Sequence, residues 1–316
     1  MANEFHFPSS LLHPRPIFLA GPTAAGKSAV ALALAERIGG EIISVDSMQV
    51  YRGLDIGTAK PGPEELQRVR HHLIDVAELD ESFDAAQFVR LAGAAAAQIQ
   101  SRGHVPIFCG GTGFYFKAYR EGLGEAPPAD AALRAELEAQ PPAELLAELE
   151  RSDPATFQRI DRKNPRRVIR AVEVIRLTGR PFSGQRARWD GADSGEAGFV
   201  FCLTRPAGEL RERLARRVDE MFAKGLVAET ESLLARGLER NPTARQALGY
   251  RQVMEHLRGR RNLPETVELV KIRTRQFAKR QLTWFRRQMR LEWISLEGQS
   301  PEAAAANLAA ELAART

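Results

Sequence analysis

Ile17-Phe18-Leu19-Ala20-Gly21-Pro22-Thr23-Ala24-Ala25-Gly26-Lys27-Ser28 is the stretch on which the fold turns. The first four residues read as a short buried strand, and the next eight match G-x-x-x-x-G-K-[ST], a loop that wraps phosphate between a strand and a helix. Each residue type has a reason. Glycines let the backbone curl until amide N–H groups converge on phosphate oxygens at a helix N-terminus, Lys27 adds a point charge, and Ser28 offers a hydroxyl to Mg²⁺. Residues Gly21, Pro22, Thr23, Ala24, Ala25, Gly26, Lys27 and Ser28 are therefore the expected phosphate-binding set, with Ser28 the expected metal ligand. Ala29–Ile38 continues with helical periodicity, and Gly39-Gly40 ends it.

Outward from the loop, Ile42–Val45 and Ile107–Cys109 read as further strands, and Ala85–Gln100 reads as a helix closed by Gly103. This alternation predicts an α/β fold, a P-loop parallel sheet flanked by helices, with ligands at the carboxyl ends of the strands. At Ala126-Pro127-Pro128 the chain turns Ala/Glu/Leu/Arg-rich and helical through Thr178, with breaks at Pro141-Pro142 and Gly179-Arg180-Pro181. The expected organisation is residues 1–125 as the first part of the core, 126–190 as an all-helical insertion, and 191–316 as the rest of the core with a basic C-terminal helical region. Asp190–Gly198 reads as a loose loop, Phe201–Thr204 as a returning strand, and everything from Ala207 onward as helical.

The 316 residues are 44% hydrophobic and 27% charged, enough for a large core and a second lobe. Met1–Pro16 has no apolar run of signal-peptide length, and no later segment approaches the ~18 apolar residues of a membrane span. A cytoplasmic protein without a membrane partner is expected. Cys109 and Cys202 lie in no metal or disulfide pattern and read as buried thiols. The net charge of +5 hides an asymmetry, because Arg240–Arg290 holds 14 Lys or Arg against three acids, leaving the remainder at −6. Such a concentration points to an extended polyanion as partner.

A P-loop hydrolase keeps an acid after an apolar strand to hold Mg²⁺. Here Ile107–Cys109 runs instead into Gly110-Gly111-Thr112. The clearest acid at a strand end is Asp46, which has two possible roles: an Asx cap on a following helix, or a general base facing the phosphate loop.

Several strings complete the pattern in order: Asp46-Ser47-Met48-Gln49-Val50-Tyr51, Asp55-Ile56-Gly57-Thr58-Ala59-Lys60-Pro61, His71-His72-Leu73-Ile74-Asp75-Val76, Gly110-Gly111-Thr112-Gly113, Leu248-Gly249-Tyr250-Arg251-Gln252 and Lys279-Arg280-Gln281-Leu282-Thr283-Trp284-Phe285-Arg286. With the phosphate loop, they closely resemble the bacterial tRNA dimethylallyltransferases from about Ile17 to Trp293. The resemblance implies transfer of a five-carbon group from dimethylallyl diphosphate to N6 of the adenine at position 37, beside the anticodon, with release of diphosphate. It accounts for the missing second acid, since no hydrolytic water needs positioning. It implies Asp46, Thr112 and Lys27 as catalytic residues, Mg²⁺ as cofactor, and donor contacts from Thr23 and Ser28 among the loop residues.

For the tRNA anticodon stem-loop, the resemblance implies contacts at Asp46, Ser47, Met48 and Gln49, at Thr112, at Arg134, at Arg166, Arg167, Val168, Ile169 and Arg170, and at Gln246, Ala247, Leu248, Gly249, Tyr250 and Arg251. It adds Lys279, Arg280, Gln281, Leu282, Thr283, Trp284, Phe285 and Arg286. On a helix, Arg273, Arg280 and Arg287 share one stripe suited to phosphate, while Phe277 and Trp284 share another that reads first as core. Adjacent His71 and His72 point to opposite faces and suggest structural hydrogen bonds rather than a metal. A monomer is expected. The alternatives are a P-loop small-molecule kinase, prenyl transfer to free AMP, and an RNA-binding module without catalysis.

Overall fold

The computed structural model describes residues 14–187 and 198–315, so most of the loop expected over Asp190–Gly198 lies outside the described residues. The chain divides into two compact units, one of Met1–Arg120 with Ser194–Thr316 and the other of Glu121–Asp193.

Six strands are described in the larger unit: β1 (Ile17–Ala20), β2 (Gly40–Val45), β3 (His71–His72), β4 (Val105–Gly110), β5 (Phe199–Thr204) and β6 (Glu292–Ser295). They form one sheet in the order β3-β2-β4-β1-β5-β6, with every pairing parallel. Side-chain alternation divides the apolar residues of the central strands between two cores. Phe18, Ile43 and Phe108 enter one core with Phe88, Phe116, Tyr250 and Phe285, while Leu19, Ile107 and Leu203 enter the other with Val30, Leu34 and Leu308. The sheet therefore lies between two helical layers, and the long apolar runs of β1 and β4 follow from burial on both faces.

The helix after the phosphate loop spans Lys27–Ile38, and Gly39 closes it in the left-handed region with its N–H on the Ala35 carbonyl. The helix expected over Ala85–Gln100 spans Ala85–Ser101, capped by the Asp84 carboxylate on the Gln87 amide. Two strands were not expected. Strand β3 is only two residues long, and β6 interrupts the stretch that read as helical from Ala207 onward. Glu292–Ser295 is mostly exposed, so it carries little apolar signal of its own, and its strand state comes from pairing with β5.

The smaller unit is built from helices Ala131–Ala139, Pro142–Ser152, Pro154–Arg159 and Pro165–Thr178. Its core is Leu137, Leu145, Leu149, Val168, Ile169, Ala171 and Val172. Asp130, Asp153 and Asn164 each cap a helix by accepting a backbone N–H three residues on, and Gly179 ends the last one at φ 66°.

Candidate active site

Because β1, β2 and β4 are parallel and in register, Ala20 and Val45 both flank Gly110. The three loops that follow, at Gly21, Asp46 and Gly111, consequently emerge side by side at the carboxyl edge of the sheet, where open α/β sheets bind ligands.

The phosphate loop is held from behind. Gly21 has φ 148°, and a Cβ there would lie 2.3 Å from the Leu203 carbonyl oxygen, so the close passage of the loop over β5 requires glycine. The Arg205 Nε donates to the Ala25 carbonyl and the Arg213 Nε to the Ala24 carbonyl, both at 2.9 Å. With the carbonyls drawn toward these guanidinium groups, and the Ala25 amide on the Pro22 carbonyl, the amides of Gly26, Lys27 and Ser28 are left for an anion. Lys27 is buried, and its Nζ donates to the Pro22 carbonyl at 2.8 Å. Burial lowers its pKa from the ordinary 10.5, and the nearby charge of Arg217 adds to this while Asp46 opposes it. Burial likewise lowers the pKa of Arg217 against the pull of Asp46. Two cations thus share the field of one carboxylate.

Asp46 follows β2 directly. Its Oδ1 accepts from the Met48 amide at 2.8 Å and the Gln49 amide at 3.3 Å, an Asx cap on a turn and not on a helix; its Oδ2 has no hydrogen bond among the described residues. Thr112 accepts the Ser47 amide on Oγ1 at 3.2 Å and donates its own amide to the Val45 carbonyl. Gln49 is held inward, its Nε2 on the Thr58 and Ala59 carbonyls and its Oε1 on the Ser44 hydroxyl.

The loop that receives Gln49 is clamped from the other side. Tyr250 accepts the Gly57 amide at 3.0 Å and donates to Glu229 Oε1 at 2.5 Å, while Glu229 also accepts the Ile56 amide. Lys60 Nζ joins the Tyr51 carbonyl to Asp55 and Asp75. Tyr250 was expected at the RNA, but it is buried and acts as a brace.

The helix Leu263–Gln288 crosses this edge of the sheet. Lys279, Arg280, Thr283 and Arg286 are exposed on it, as are Arg273 and Arg287. An open surface cavity of about 500 Å³ is lined by Gln276, Lys279, Arg280, Thr283, Trp284 and Arg287. Half-buried Trp284 packs on Gly113 so closely that a Cβ there would lie 2.1 Å from the ring, and half-buried Leu282 joins a small apolar cluster with Leu210 and Ala278. Phe277 is exposed, not core, with the Arg280 guanidinium 5.8 Å from its centroid. Phe285 is wholly buried and offers no surface to RNA. Gln281 is also buried, turned toward the phosphate loop.

Elsewhere the expected RNA contacts divide in the same way. Gln246 and Arg251 are exposed beside a basic cavity of about 230 Å³, whereas Ala247 is buried with Gly249, and Leu248 is half-buried. In the smaller unit Arg166 and Arg167 are exposed, but Val168 and Ile169 fill its core. Arg134 and Arg170 both reach Glu173, which is fully buried, at 2.7 and 2.8 Å. His71 and His72 bond to the Val69 carbonyl and to Glu41.

A family model described as IPP transferase matches residues 49–288. The chain belongs to the IPP transferase family. It is 48% identical over 288 residues to a protein of Trichlorobacter lovleyi named tRNA dimethylallyltransferase 1, covering 90% of this chain and 94% of that one. Against the tRNA dimethylallyltransferase of Geobacter metallireducens the identity is 44%, with 90% and 93% covered. Among solved structures, it is similar to the tRNA isopentenylpyrophosphate transferase of Bacillus halodurans, with TM-score 0.69 and 38% identity over 95% of this chain and 97% of that chain. As an IPP transferase the chain is an enzyme, a prenyl transferase. The family match begins at residue 49, beyond the phosphate loop and Asp46, so the chemistry at those positions rests on their own geometry.

Sequence reasoning missed Arg205, Arg213 and Arg217. A signal was present for two of them: Arg213 and Arg217 follow Glu209 at intervals of four on the helix Ala207–Ala223, the spacing of one helix face, while Arg205 precedes that helix.

Proposed function

We propose that the chain transfers the dimethylallyl group of dimethylallyl diphosphate to N6 of adenosine 37 in tRNA. Its relatives' names and its basic surface support tRNA as acceptor. The observation that carries the assignment of roles is that Asp46 and Thr112 stand beside a phosphate loop in a sheet where β4 ends in Gly110-Gly111 and not in an acid. Such a site can hold a leaving diphosphate but has no carboxylate after β4 for a hydrolytic metal.

In the reaction the N6 lone pair forms a bond to the allylic carbon as the bond from that carbon to the diphosphate oxygen breaks. Lys27, Arg217 and the loop amides stabilise the negative charge that gathers on the departing diphosphate. Asp46 Oδ2 takes the proton released from N6, while Oδ1 stays fixed by the Met48 and Gln49 amides. Thr112 positions the Asp46-Ser47 turn and directs its hydroxyl toward a diphosphate oxygen. An anticodon loop is single-stranded, so its base leaves the stack at low cost.

Mg²⁺ fits as a partner of the diphosphate and not as a resident of a protein cage. Ser28 exposes its hydroxyl at the first turn of Lys27–Ile38, and the described residues contain no group of three His, Cys, Asp or Glu that could hold a metal ion. Mg²⁺ takes one or two protein oxygens, substrate phosphates and water. When bound it would neutralise the leaving group. The protein is proposed to act as a cytoplasmic monomer; no described helix is long and apolar enough to cross a membrane.

Incubation with unmodified tRNA, dimethylallyl diphosphate and Mg²⁺, followed by nucleoside mass spectrometry, is expected to find adenosine enlarged by C5H8. Unmodified adenosine would refute the proposal.

A further inference from the structure

Gln281 sits on the helix that carries the basic stripe, yet it is buried and faces away from the arginines. Both ends of its amide are used. Oε1 accepts the Thr23 N–H of the phosphate loop at 2.8 Å, and Nε2 donates to the Gly111 carbonyl at 3.0 Å. Gly111 immediately precedes Thr112, whose hydroxyl holds the Ser47 amide next to Asp46. One side chain therefore connects the donor loop after β1 to the turn after β4, and through it to the turn after β2. The fit is tight: a Cβ on Gly111 would lie 2.3 Å from Gln281 Nε2.

We propose that Gln281 is a positioning residue that sets the distance between the diphosphate and the Asp46–Thr112 pair, and that its role is not RNA contact. This rests on the prenyl transfer proposed above. The physical basis is that the three loops have few other ties between them, while group transfer is sensitive to displacements of an ångström, which cost up to ~100-fold in rate. Thr23 lies early in the loop, so its capture by Gln281, with the Ala25 amide on the Pro22 carbonyl, leaves the amides of Gly26 to Ser28 for phosphate. Because the amide projects from the helix that bears Arg273, Arg280 and Arg287, a shift of that helix on binding RNA is transmitted directly to the donor loop.

Gln281→Leu keeps the volume and removes both bonds; Gln281→Glu keeps the acceptor for Thr23 and loses the donor to Gly111. Three quantities are measured for the full chain: tRNA affinity, binding of inorganic diphosphate with Mg²⁺ by calorimetry, and single-turnover prenyl transfer. For Gln281→Leu, transfer is expected to fall about tenfold to 100-fold and diphosphate affinity about tenfold, with tRNA affinity and its salt dependence unchanged. For Gln281→Glu, transfer is expected to fall by a similar factor while diphosphate affinity stays near that of the parent. Weakened tRNA binding with normal diphosphate affinity would overturn the proposal in favour of an RNA contact. A lowered melting temperature with all three quantities unchanged would overturn it in favour of packing alone. If Gln281→Leu does not fold, Gln281→Glu decides between the same outcomes. Failure of the parent chain to form prenyl-adenosine would refute the reaction, while the calorimetric comparison would still test Gln281.

Discussion

Ser47 donates its amide to the hydroxyl of Thr112 at 3.2 Å, joining the turn after β2 to the turn after β4 across a gap of 65 residues in sequence. The bond places the backbone of the candidate base under the control of the glycine-rich turn. The two turns then present one polar surface to the phosphate loop.

Thr112→Val retains the branched shape and removes the acceptor. The Ser47 amide loses its partner in a half-buried site, a loss worth roughly 1–3 kcal/mol. Prenyl transfer is predicted to slow by about tenfold to 100-fold with tRNA affinity unchanged; single-turnover kinetics and a binding isotherm check both.

In the proposed reaction Lys27 holds the diphosphate only while protonated, and burial moves its pKa below 10.5. The KM for dimethylallyl diphosphate is therefore predicted to rise with pH before pH 10.5 is reached. Measurement between pH 7 and 10 checks this; a flat profile across that range would contradict it.

The phosphate loop, its strand and its helix were legible because a glycine-lysine pattern between an apolar run and a 3.6-residue periodicity has few other meanings. Asp46 and Thr112 were legible as residues at strand ends. Strands β3 and β6 were not, being a two-residue edge and an exposed edge whose strand state is supplied by pairing partners distant in sequence. Tyr250 and Gln281 were expected at the RNA from the resemblance, whereas burial turned each toward a loop more than 150 residues away. Arg205, Arg213 and Arg217 resembled the solvated arginines around them, and only the carbonyls they reach distinguish them.

Arg280 and Arg287 are exposed on one stripe of the basic helix. Replacing both with Ala removes up to two phosphate contacts. The slope of log K against log salt for tRNA is predicted to become shallower by roughly 1.5, at about 0.7–0.9 per contact. Binding measured between 50 and 300 mM salt checks it, and an unchanged slope would remove this stripe from the footprint.

Glu41, in β2 beside β3, is nearly buried and bound by two nitrogens of an Arg102 fork, by His72 and by His104. Burial alone would raise its pKa, but these hydrogen bonds outweigh it and hold the carboxyl at about 2 against an ordinary 4.5. A depressed carboxyl contributes stability that is complete above pH 4.5 and disappears as the pH falls toward 2. The contribution is about 3 kcal/mol. Unfolding of the parent chain is predicted to steepen with acid in this window, and Glu41→Gln is predicted to flatten the dependence while lowering stability at pH 7. Denaturant titrations at pH 7, 4 and 3 check both.

Asp46→Asn tests the chemistry most directly, because the amide keeps an oxygen for the Met48 and Gln49 amides and removes only the base. With tRNA and donor both saturating, single-turnover transfer is predicted to fall about 100-fold to 10,000-fold, with tRNA affinity within a factor of about three. Transfer at the parent rate would contradict the assignment of Asp46 as the group that takes the proton.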